Sequence, residues 1–323
     1  MKAPIQLTVL GKGAATDALP GIGAYRLRVC ASQTYAVKIG HRIADSRLAA
    51  WVCGKGAVIA NLRYGAQAVV LANEYSGRAM YLWGDEDPRL TAIVTALLRQ
   101  GDTVLDIGAN FGVIGLLAAK CVGPEGKVHL FEPQPLVASF LRTSLFINGF
   151  SQAVLHECAL SNRTGTAQMA ISDPLILSTA ALSAPRQDIA PEAQIISVRM
   201  EEAGTYIASL GCDSVALLKI DVEGHEPVIL ASMREWLEAV RPPIILFECH
   251  LDGRSFHQHE TVSILAALGY EFLSVDTRPL VRTRLFPVDE EQRSYGRDFV
   301  AVRWNELDHD RRQALEAFLS LKP

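Results

Sequence analysis

The chain has 323 residues, of which 49% are hydrophobic and 20% charged, and its formal net charge is −4. This is the composition of a packed globular protein, and the length predicts one large domain with an extension. Proteins that bind nucleic acid usually have a strongly basic surface, so the negative net charge argues against a nucleic-acid partner. No apolar run approaches the roughly 18 residues that a membrane span needs, so none is predicted.

The six cysteines are widely scattered and include no CxxC pair. They therefore predict neither a zinc site nor a disulfide framework. The opening stretch MKAPIQLTVLGKG holds a short apolar run that glycine soon interrupts, which is not typical of a secretory signal peptide. Free thiols suit a reducing compartment, and we expect a cytoplasmic protein.

Residues 1–59 do not share the pattern of the rest of the chain. Apolar and polar residues alternate in places such as Tyr25–Val29, which predicts strands. We therefore expect a β-rich N-terminal extension. Its residues do not indicate what role it has. The next stretch, Tyr64–Trp83, is predicted as further strand with a hairpin turn at Ser76-Gly77.

From about residue 100 to 303, apolar runs alternate with helical patterns, which marks the core of a main domain at 60–323. The predicted strands are Thr103–Ile107, Lys127–Phe131, Ala153–Cys158, Val215–Ile220, Ile244–Phe247, Tyr270–Val275 and Asp298–Arg303. The predicted helices are Val113–Cys121, Leu136–Ile147, one that begins near Pro227, and Thr261–Leu268. This order indicates an α/β, Rossmann-like fold with a mostly parallel sheet covered on both faces. No helical pattern separates the last two strands, so we expect the last strand to be antiparallel.

Ser161–Pro191 is predicted to be a long loop, of the kind that often forms a lid.

The strongest motif lies where the first of these strands reaches a glycine turn and a helix. Gly108 and Gly112 allow the backbone to approach a ligand closely. The free amides at the helix start attract a carboxylate, such as that of a methionine moiety. Asp106 can accept from an ammonium group, directly or through water. Glu132, at the end of the next strand, can accept from both ribose hydroxyls.

Two cofactors fit such a loop, and two features separate them. An anion at Asp106, two residues before Gly108, would repel the pyrophosphate of a nicotinamide cofactor. The loop also lacks the G-x-G-x-x-G spacing of dinucleotide-binding folds. S-adenosylmethionine (SAM) is therefore favoured over NAD, and a dehydrogenase is the weaker alternative.

A second group of polar residues, KIDVEGHE, ends the fourth predicted strand, at the edge of the sheet where ligands bind in open α/β folds. Period-two geometry places Lys219 and Asp221 on one face. A lysine within a parallel strand must be paired, and a structural lysine–acid pair is an equally good interpretation. We predict that Asp221 or His225 acts as the general base.

A third group, FECH, ends the fifth predicted strand. Glu248 and His250, together with Asp221, form a candidate oxygen and nitrogen site for a hard divalent cation. Such an ion would acidify a substrate hydroxyl. The simpler interpretation, Glu248 as a hydrogen-bonding residue of the site wall, is favoured, so no metal is predicted.

These motifs together resemble the FkbM family of methyltransferases. The stretches that carry the resemblance are VLDIGANFG, KVHLFEPQP, ALSN, LLKIDVEGHE and IILFECH, and WGDE at 83–86 lies in a similar position upstream. The likeness covers about residues 60–303. Where many members have an aspartate after ALS, this chain has Asn162, so a role for that carboxylate does not carry over.

The resemblance implies a class I methyltransferase fold and SAM-dependent methylation, most often of an oxygen on a sugar or a secondary metabolite. It places the cofactor at Asp106, Gly108, Asn110, Gly112 and Glu132, with Ala159 and Leu160 near the adenine. The acceptor, a small molecule or a glycan, is not inherited with the family.

Two alternative functions stay open at this point. In the first, the enzyme methylates a nitrogen of a peptide or amine, whose proton is removed by a base without a metal. In the second, the chain is a catalytically inactive SAM-fold partner protein, which the intact glycine loop and acids disfavour. A homodimer is a further expectation, with residues 1–59 as one candidate surface.

Overall fold

A computed structural model of the chain describes residues 56–171, 181–182, 194–251, 254–276, 283–288 and 296–320, together with 49, 53 and 54. The expectation of a β-rich segment at 1–59 falls almost entirely outside the described residues. Among the helices of the described part, none is long and apolar enough to cross a bilayer. No disulfide joins any two of the five described cysteines.

The described part opens with an antiparallel hairpin and two helices. Strands β1 (Ala57–Asn61) and β2 (Gln67–Leu71) pair with each other, and helices α1 (Tyr75–Trp83) and α2 (Pro88–Leu97) follow. Buried residues of the hairpin belong to the same hydrophobic cluster as one face of the main sheet. This packing places the hairpin in the core of the main domain.

The strand predicted at 64–83 is correct for β2, but Tyr75–Trp83 is helix, so the turn predicted at Ser76-Gly77 was wrong. Gly77 lies inside α1, where its amide donates to the capping carboxylate of Glu74 at 2.7 Å. A Cβ at Gly77 would lie 2.3 Å from the Leu71 carbonyl oxygen, so glycine lets the helix pack directly on β2. The glycine marks a close approach between backbones and not a turn.

The central sheet has eight strands in the order β13-β12-β14-β11-β10-β3-β4-β5. The strands are β3 (Thr103–Ile107), β4 (Lys127–Phe131), β5 (Ala153–His156), β10 (Leu217–Ile220), β11 (Ile244–Glu248), β12 (Glu271–Val275), β13 (Leu285–Pro287) and β14 (Asp298–Val302). The five strands from β11 to β5 are parallel, and β14 is antiparallel to both β11 and β12. This confirms the predicted α/β fold with an antiparallel last strand.

Helices cover both faces of the sheet, because its strands bury side chains alternately on either side. After α1 and α2 come α3 (Val113–Val122), α4 (Pro135–Ile147), α5 (Ala203–Ser209), α6 (Glu226–Ser232), α7 (Arg234–Val240), α8 (Glu260–Ala267) and α9 (His309–Glu316). On β3, Val104 belongs to one hydrophobic cluster, and Leu105 and Ile107 belong to the other. Asp106 therefore points to the same side as Val104.

A second, smaller sheet occupies much of the region that was predicted as a loop. Its order is β6-β9-β7-β8, formed by β6 (Ala159–Ser161), β7 (Gly165–Ile171), β8 (Ala181–Leu182) and β9 (Gln194–Glu202). The loop prediction for Ser161–Pro191 was wrong at Ser161, at 165–171 and at 181–182, which are strand, whereas 162–164 connect β6 to β7. The other residues of that stretch lie outside the described part of the chain. The third predicted strand was also too long, because β5 ends at His156 and the chain then enters the other sheet.

Candidate active site

The glycine loop between β3 and α3 lies directly against the loop that follows β10. Gly108 and Gly112 have φ of +80° and +85°, a region that favours glycine. A Cβ at Gly108 would lie 1.8 Å from the backbone carbonyl oxygen of Asp221. The two motifs recognised in the sequence therefore form one continuous site at the carboxyl edge of the sheet.

Glu132 organises the glycine loop. Its Oε2 accepts from the amide of Asn110 at 2.9 Å, and its Oε1 accepts from the amide of Gln134 at 2.8 Å. Asn110 has φ of +50°, an uncommon conformation for a residue other than glycine. Burial raises the pKa of Glu132 to about 7, although the two amide donors oppose that shift. The carboxylate predicted to hold ribose thus also fixes the loop beneath it.

Asp106 and Lys219 face each other on neighbouring parallel strands, where they are partners in register. Lys219 Nζ lies 3.1 Å from Asp106 Oδ1 and 3.7 Å from Asp221 Oδ2. It also donates to the carbonyl oxygen of Gly108 at 2.6 Å. The lysine is therefore paired, as burial of a charge requires.

Several buried oxygen atoms at the glycine loop are suited to a ligand with hydrogen-bond donors. Within the described residues, Oδ1 of Asn110 is buried and has no hydrogen-bond partner, and the fully buried carboxylate of Asp106 has Lys219 as its ion-pair partner. The N-terminus of α3 begins after Gly112 and offers amides to a carboxylate. Acceptors for an ammonium beside donors for a carboxylate fit the amino-acid end of SAM.

The residues predicted to lie near the adenine are on β6. Ala159 and Leu160 are both buried, but they belong to different hydrophobic clusters, so their side chains point to opposite faces of the strand. Leu160 shares its cluster with Phe131, the last residue of β4.

The loop after β10 is held in shape by its own last residue. Glu226 Oε1 accepts from the amides of Val222 at 2.9 Å and Gly224 at 3.3 Å, and Glu226 is 2% exposed. By contrast, the Asp221 side chain is 43% exposed. Glu226 thus supports the loop, and Asp221 is open to an acceptor.

His225 contacts a residue that the sequence argument did not assign. Its Nε2 lies 2.9 Å from Ser161 Oγ, at the end of β6. Burial lowers the pKa of His225, which favours the neutral imidazole that a general base requires. The ALSN stretch marked this position, but no local pattern links Ser161 to a histidine 64 residues later.

A cluster of three side chains has the spacing of cation ligands. Glu223, Glu248 and His250, which we call the Glu–His cluster, place one ligand atom each within 4.8 Å of one another. This set has Glu223 where the sequence suggested Asp221. Burial raises the pKa of Glu248 to about 9, and repulsion from Asp221 and Glu223 adds to the effect.

Two further acids near this edge were not predicted as site residues. Asp298 is the partner of Glu248 in register and pairs with Arg89 at 2.9 Å. Glu86 is half-buried, and desolvation raises its pKa to about 8, with repulsion from Glu74 and Asp221 acting in the same direction. The acceptor side of the site is therefore rich in carboxyl groups.

The strand order, with its antiparallel β14, is that of a class I methyltransferase fold, with a candidate cofactor loop after β3 and a candidate acceptor edge at β10 and β11. The sequence model of the family described as "Methyltransferase FkbM domain" matches residues 106–272, just over half of the chain. The chain belongs to this family. The match confirms the predicted family, whose model describes a methyltransferase domain.

Two curated proteins and one solved structure are similar to parts of this chain. The chain is 30% identical over 165 residues to the 31-O-demethyl-FK506 methyltransferase FkbM of Streptomyces tacrolimicus, covering 43% of this chain and 62% of that protein. It is 38% identical over 69 residues to a protein-L-isoaspartate O-methyltransferase of Methanopyrus kandleri, covering 21% and 30%. A solved methyltransferase FkbM from Methylobacillus flagellatus is 15% identical, with coverage of 62% and 43% and a TM-score of 0.36. The chain thus spans less than two thirds of either curated relative.

Proposed function

We propose that this protein transfers the methyl group of SAM to a hydroxyl oxygen of a small-molecule or glycan acceptor, such as a sugar or a secondary metabolite. The observation that carries the proposal is the contact between Gly108 and the Asp221 carbonyl, which joins the cofactor loop to the acceptor edge. Both curated relatives are named as O-methyltransferases or act on an O-demethyl substrate, which supports oxygen as the acceptor atom.

The cofactor residues have separate tasks in this proposal. Asp106 and Asn110 accept from the ammonium, and the amides that follow Gly112 bind the carboxylate. Glu132 accepts from the ribose hydroxyls, with Ala159 and Leu160 near the adenine. SAM itself supplies a methyl group that is already activated on a sulfonium, so the protein mainly aligns the acceptor, which is worth several kcal/mol.

The acceptor hydroxyl must lose its proton as the new carbon–oxygen bond forms and the carbon–sulfur bond breaks. Asp221 and His225 are the candidate bases. Asp221 is exposed on the acceptor edge, beside Lys219. Because Nε2 of His225 contacts Ser161, the proton would go to Nδ1 of that ring. Unchanged turnover of both Asp221→Asn and His225→Ala at saturating acceptor would remove this assignment.

A second candidate function is methylation of an amine or peptide nitrogen. The acceptor edge favours it, since Asp221 and the neighbouring Glu223 can attract a cationic acceptor. Matched alcohol and amine acceptors separate the two functions. Transfer only to the amine, at a pH where that amine is partly neutral, would replace oxygen by nitrogen.

The decisive experiment follows a labelled methyl group from SAM into cell extracts and small-molecule pools, after SAM binding is measured by calorimetry. NAD serves as the control ligand in a thermal-shift assay. SAM binding without transfer to any acceptor would support the inactive partner-protein alternative. Stabilisation by NAD and not by SAM would revive the dehydrogenase.

A further inference from the structure

A single buried ammonium group joins the cofactor loop to both strands of the candidate site. Lys219 Nζ has three protons to donate, and three oxygen-bearing groups surround it: Gly108, Asp106 and Asp221. The Lys219 side chain is 9% exposed, and that of Asp106 is fully buried. The ammonium thus donates a hydrogen bond to the Gly108 carbonyl and forms ion pairs with both carboxylates, the nearer one being Asp106.

We propose that Lys219 is a positioning residue for the cofactor, which holds the Gly108 carbonyl in place and keeps Asp106 available as an anion. This inference rests on the proposed cofactor site. Lys219 does not touch the reacting atoms in it. It acts through the loop and through Asp106, and so makes SAM binding tight and independent of the titration of Asp106.

The geometry supports a role beyond packing. Gly108 is the first residue of the loop, and Lys219 holds its carbonyl from the strand next to β3. The Gly108 backbone also lies against the Asp221 carbonyl. Loss of the Lys219 contact would therefore let the loop shift relative to the acceptor edge, which a change in a remote core residue would not do.

The electrostatics point the same way. Burial raises the pKa of Asp106, and the charge of Lys219 acts against that shift. Burial alone would lower the pKa of Lys219, but the charges of Asp106 and Asp221 outweigh it and raise that pKa. The other groups that act on Asp106 are Asp221, which repels it, and the Gly115 amide, which stabilises its anion; Glu132 is also close enough to interact with it.

Without the lysine, Asp106 has lost its positive neighbour inside an apolar environment, and it would bind a proton near neutral pH. A protonated Asp106 attracts the SAM ammonium less strongly. SAM affinity in a lysine-free variant, relative to the wild type, should then rise as pH rises through the new pKa of Asp106, because the anion is regained.

The test measures SAM affinity by calorimetry from about pH 6 to about pH 9, a range over which an ordinary aspartate stays ionised. The variants are Lys219→Met, which removes the charge at similar length, and Lys219→Met combined with Asp106→Asn. Lys127→Met, at the exposed start of β4, is the matched control. Thermal unfolding of each variant is recorded alongside.

Wild type and the control should share one pH profile, which reflects loss of the proton of the SAM α-ammonium near about pH 8. The affinity of each variant is therefore expressed relative to the wild type at the same pH. Lys219→Met should bind at least about tenfold more weakly at neutral pH, the loss expected for a charge-assisted hydrogen bond, and should recover affinity as pH rises. The double variant should stay weak at every pH. Near-wild-type affinity of Lys219→Met at every pH would overturn the inference.

If Lys219→Met does not fold, Lys219→Arg decides the matter, because it keeps the charge and alters the shape. Arginine should weaken SAM binding by the same factor relative to the wild type at every pH. A change of that factor with pH in Lys219→Arg would contradict the role of the charge. Absence of SAM binding by the wild type would instead count against the proposed function.

Discussion

Replacement of Gly108 by alanine tests the contact that joins the two halves of the site. The new Cβ would lie 1.8 Å from the carbonyl oxygen of Asp221 and 2.9 Å from its carbonyl carbon. Neither atom belongs to a flexible side chain, so the glycine loop and the β10 loop must move apart. Alanine would also have to adopt φ of +80°.

The cost of the left-handed backbone and the cost of the steric overlap can be estimated separately. Left-handed backbone at a residue other than glycine costs about 1–3 kcal/mol, and overpacking in a tight interior costs a further 1–3 kcal/mol or so. Gly101 has a similar φ of +84° but nothing within 4 Å of its Cβ position. Gly101→Ala therefore carries the backbone cost alone and is the matched control.

Urea unfolding gives the free energy of unfolding of each variant, and calorimetry gives its SAM affinity. Gly101→Ala should lose stability and keep wild-type SAM affinity. Gly108→Ala should lose more stability, and its SAM affinity should fall by at least about tenfold as the loop moves. Equal stability of the two variants, with unaltered SAM binding by Gly108→Ala, would refute the close contact.

Three further predictions concern other parts of the site and the fold. Glu132→Gln should weaken SAM binding about tenfold or more, because an amide NH2 cannot accept from the loop amides. Calorimetry that gave wild-type SAM affinity for this variant would contradict the prediction. Glu157→Gln, on the exposed turn after β5, is the control. Burial lowers the pKa of His156 from 6.5 to about 4, so the unfolded chain binds a proton that the folded protein does not, and stability should fall as pH falls through that interval. Urea unfolding of His156→Asn should show a shallower dependence, and an unchanged slope would exclude His156 as its source. Methyl-transfer activity should be unchanged by EDTA, because the raised pKa of Glu248 reduces the negative charge that the Glu–His cluster can offer to a cation. A loss of activity in EDTA that Mg²⁺ or Mn²⁺ restores would instead favour a metal in this cluster.

The central strands could be predicted from the sequence because both of their faces are buried. Thr103–Ile107 and Lys127–Phe131 have the predicted bounds in the structure. Their apolar runs are continuous, and glycine, acid or proline residues end them, so local composition suffices. The candidate cofactor residues follow for the same reason, since they are placed by strand ends and not by distant contacts.

Other features depend on contacts that no local pattern contains. Gly77 was taken for a turn because its packing partner, the Leu71 backbone, is invisible to a propensity argument. The pair between Arg89 and Asp298 joins residues 209 positions apart. Short strands such as β6, with three residues, resemble loops in sequence. Such errors arise where tertiary packing overrides a local signal.

The carboxyl groups around the acceptor edge explain why the donor is easier to infer than the acceptor. The proposed donor site is built mainly from one strand–loop–helix unit and the end of β4, which lie close together in the chain. The proposed acceptor edge draws on the loop after β10, on β11, and on Glu86 and Asp298, which are far apart in the chain. Glu86 also acts electrostatically on Lys219, whereas Asp298 pairs with Arg89 and is the register partner of Glu248. Acceptor preference should therefore respond to substitution of Asp298 without a change in SAM affinity.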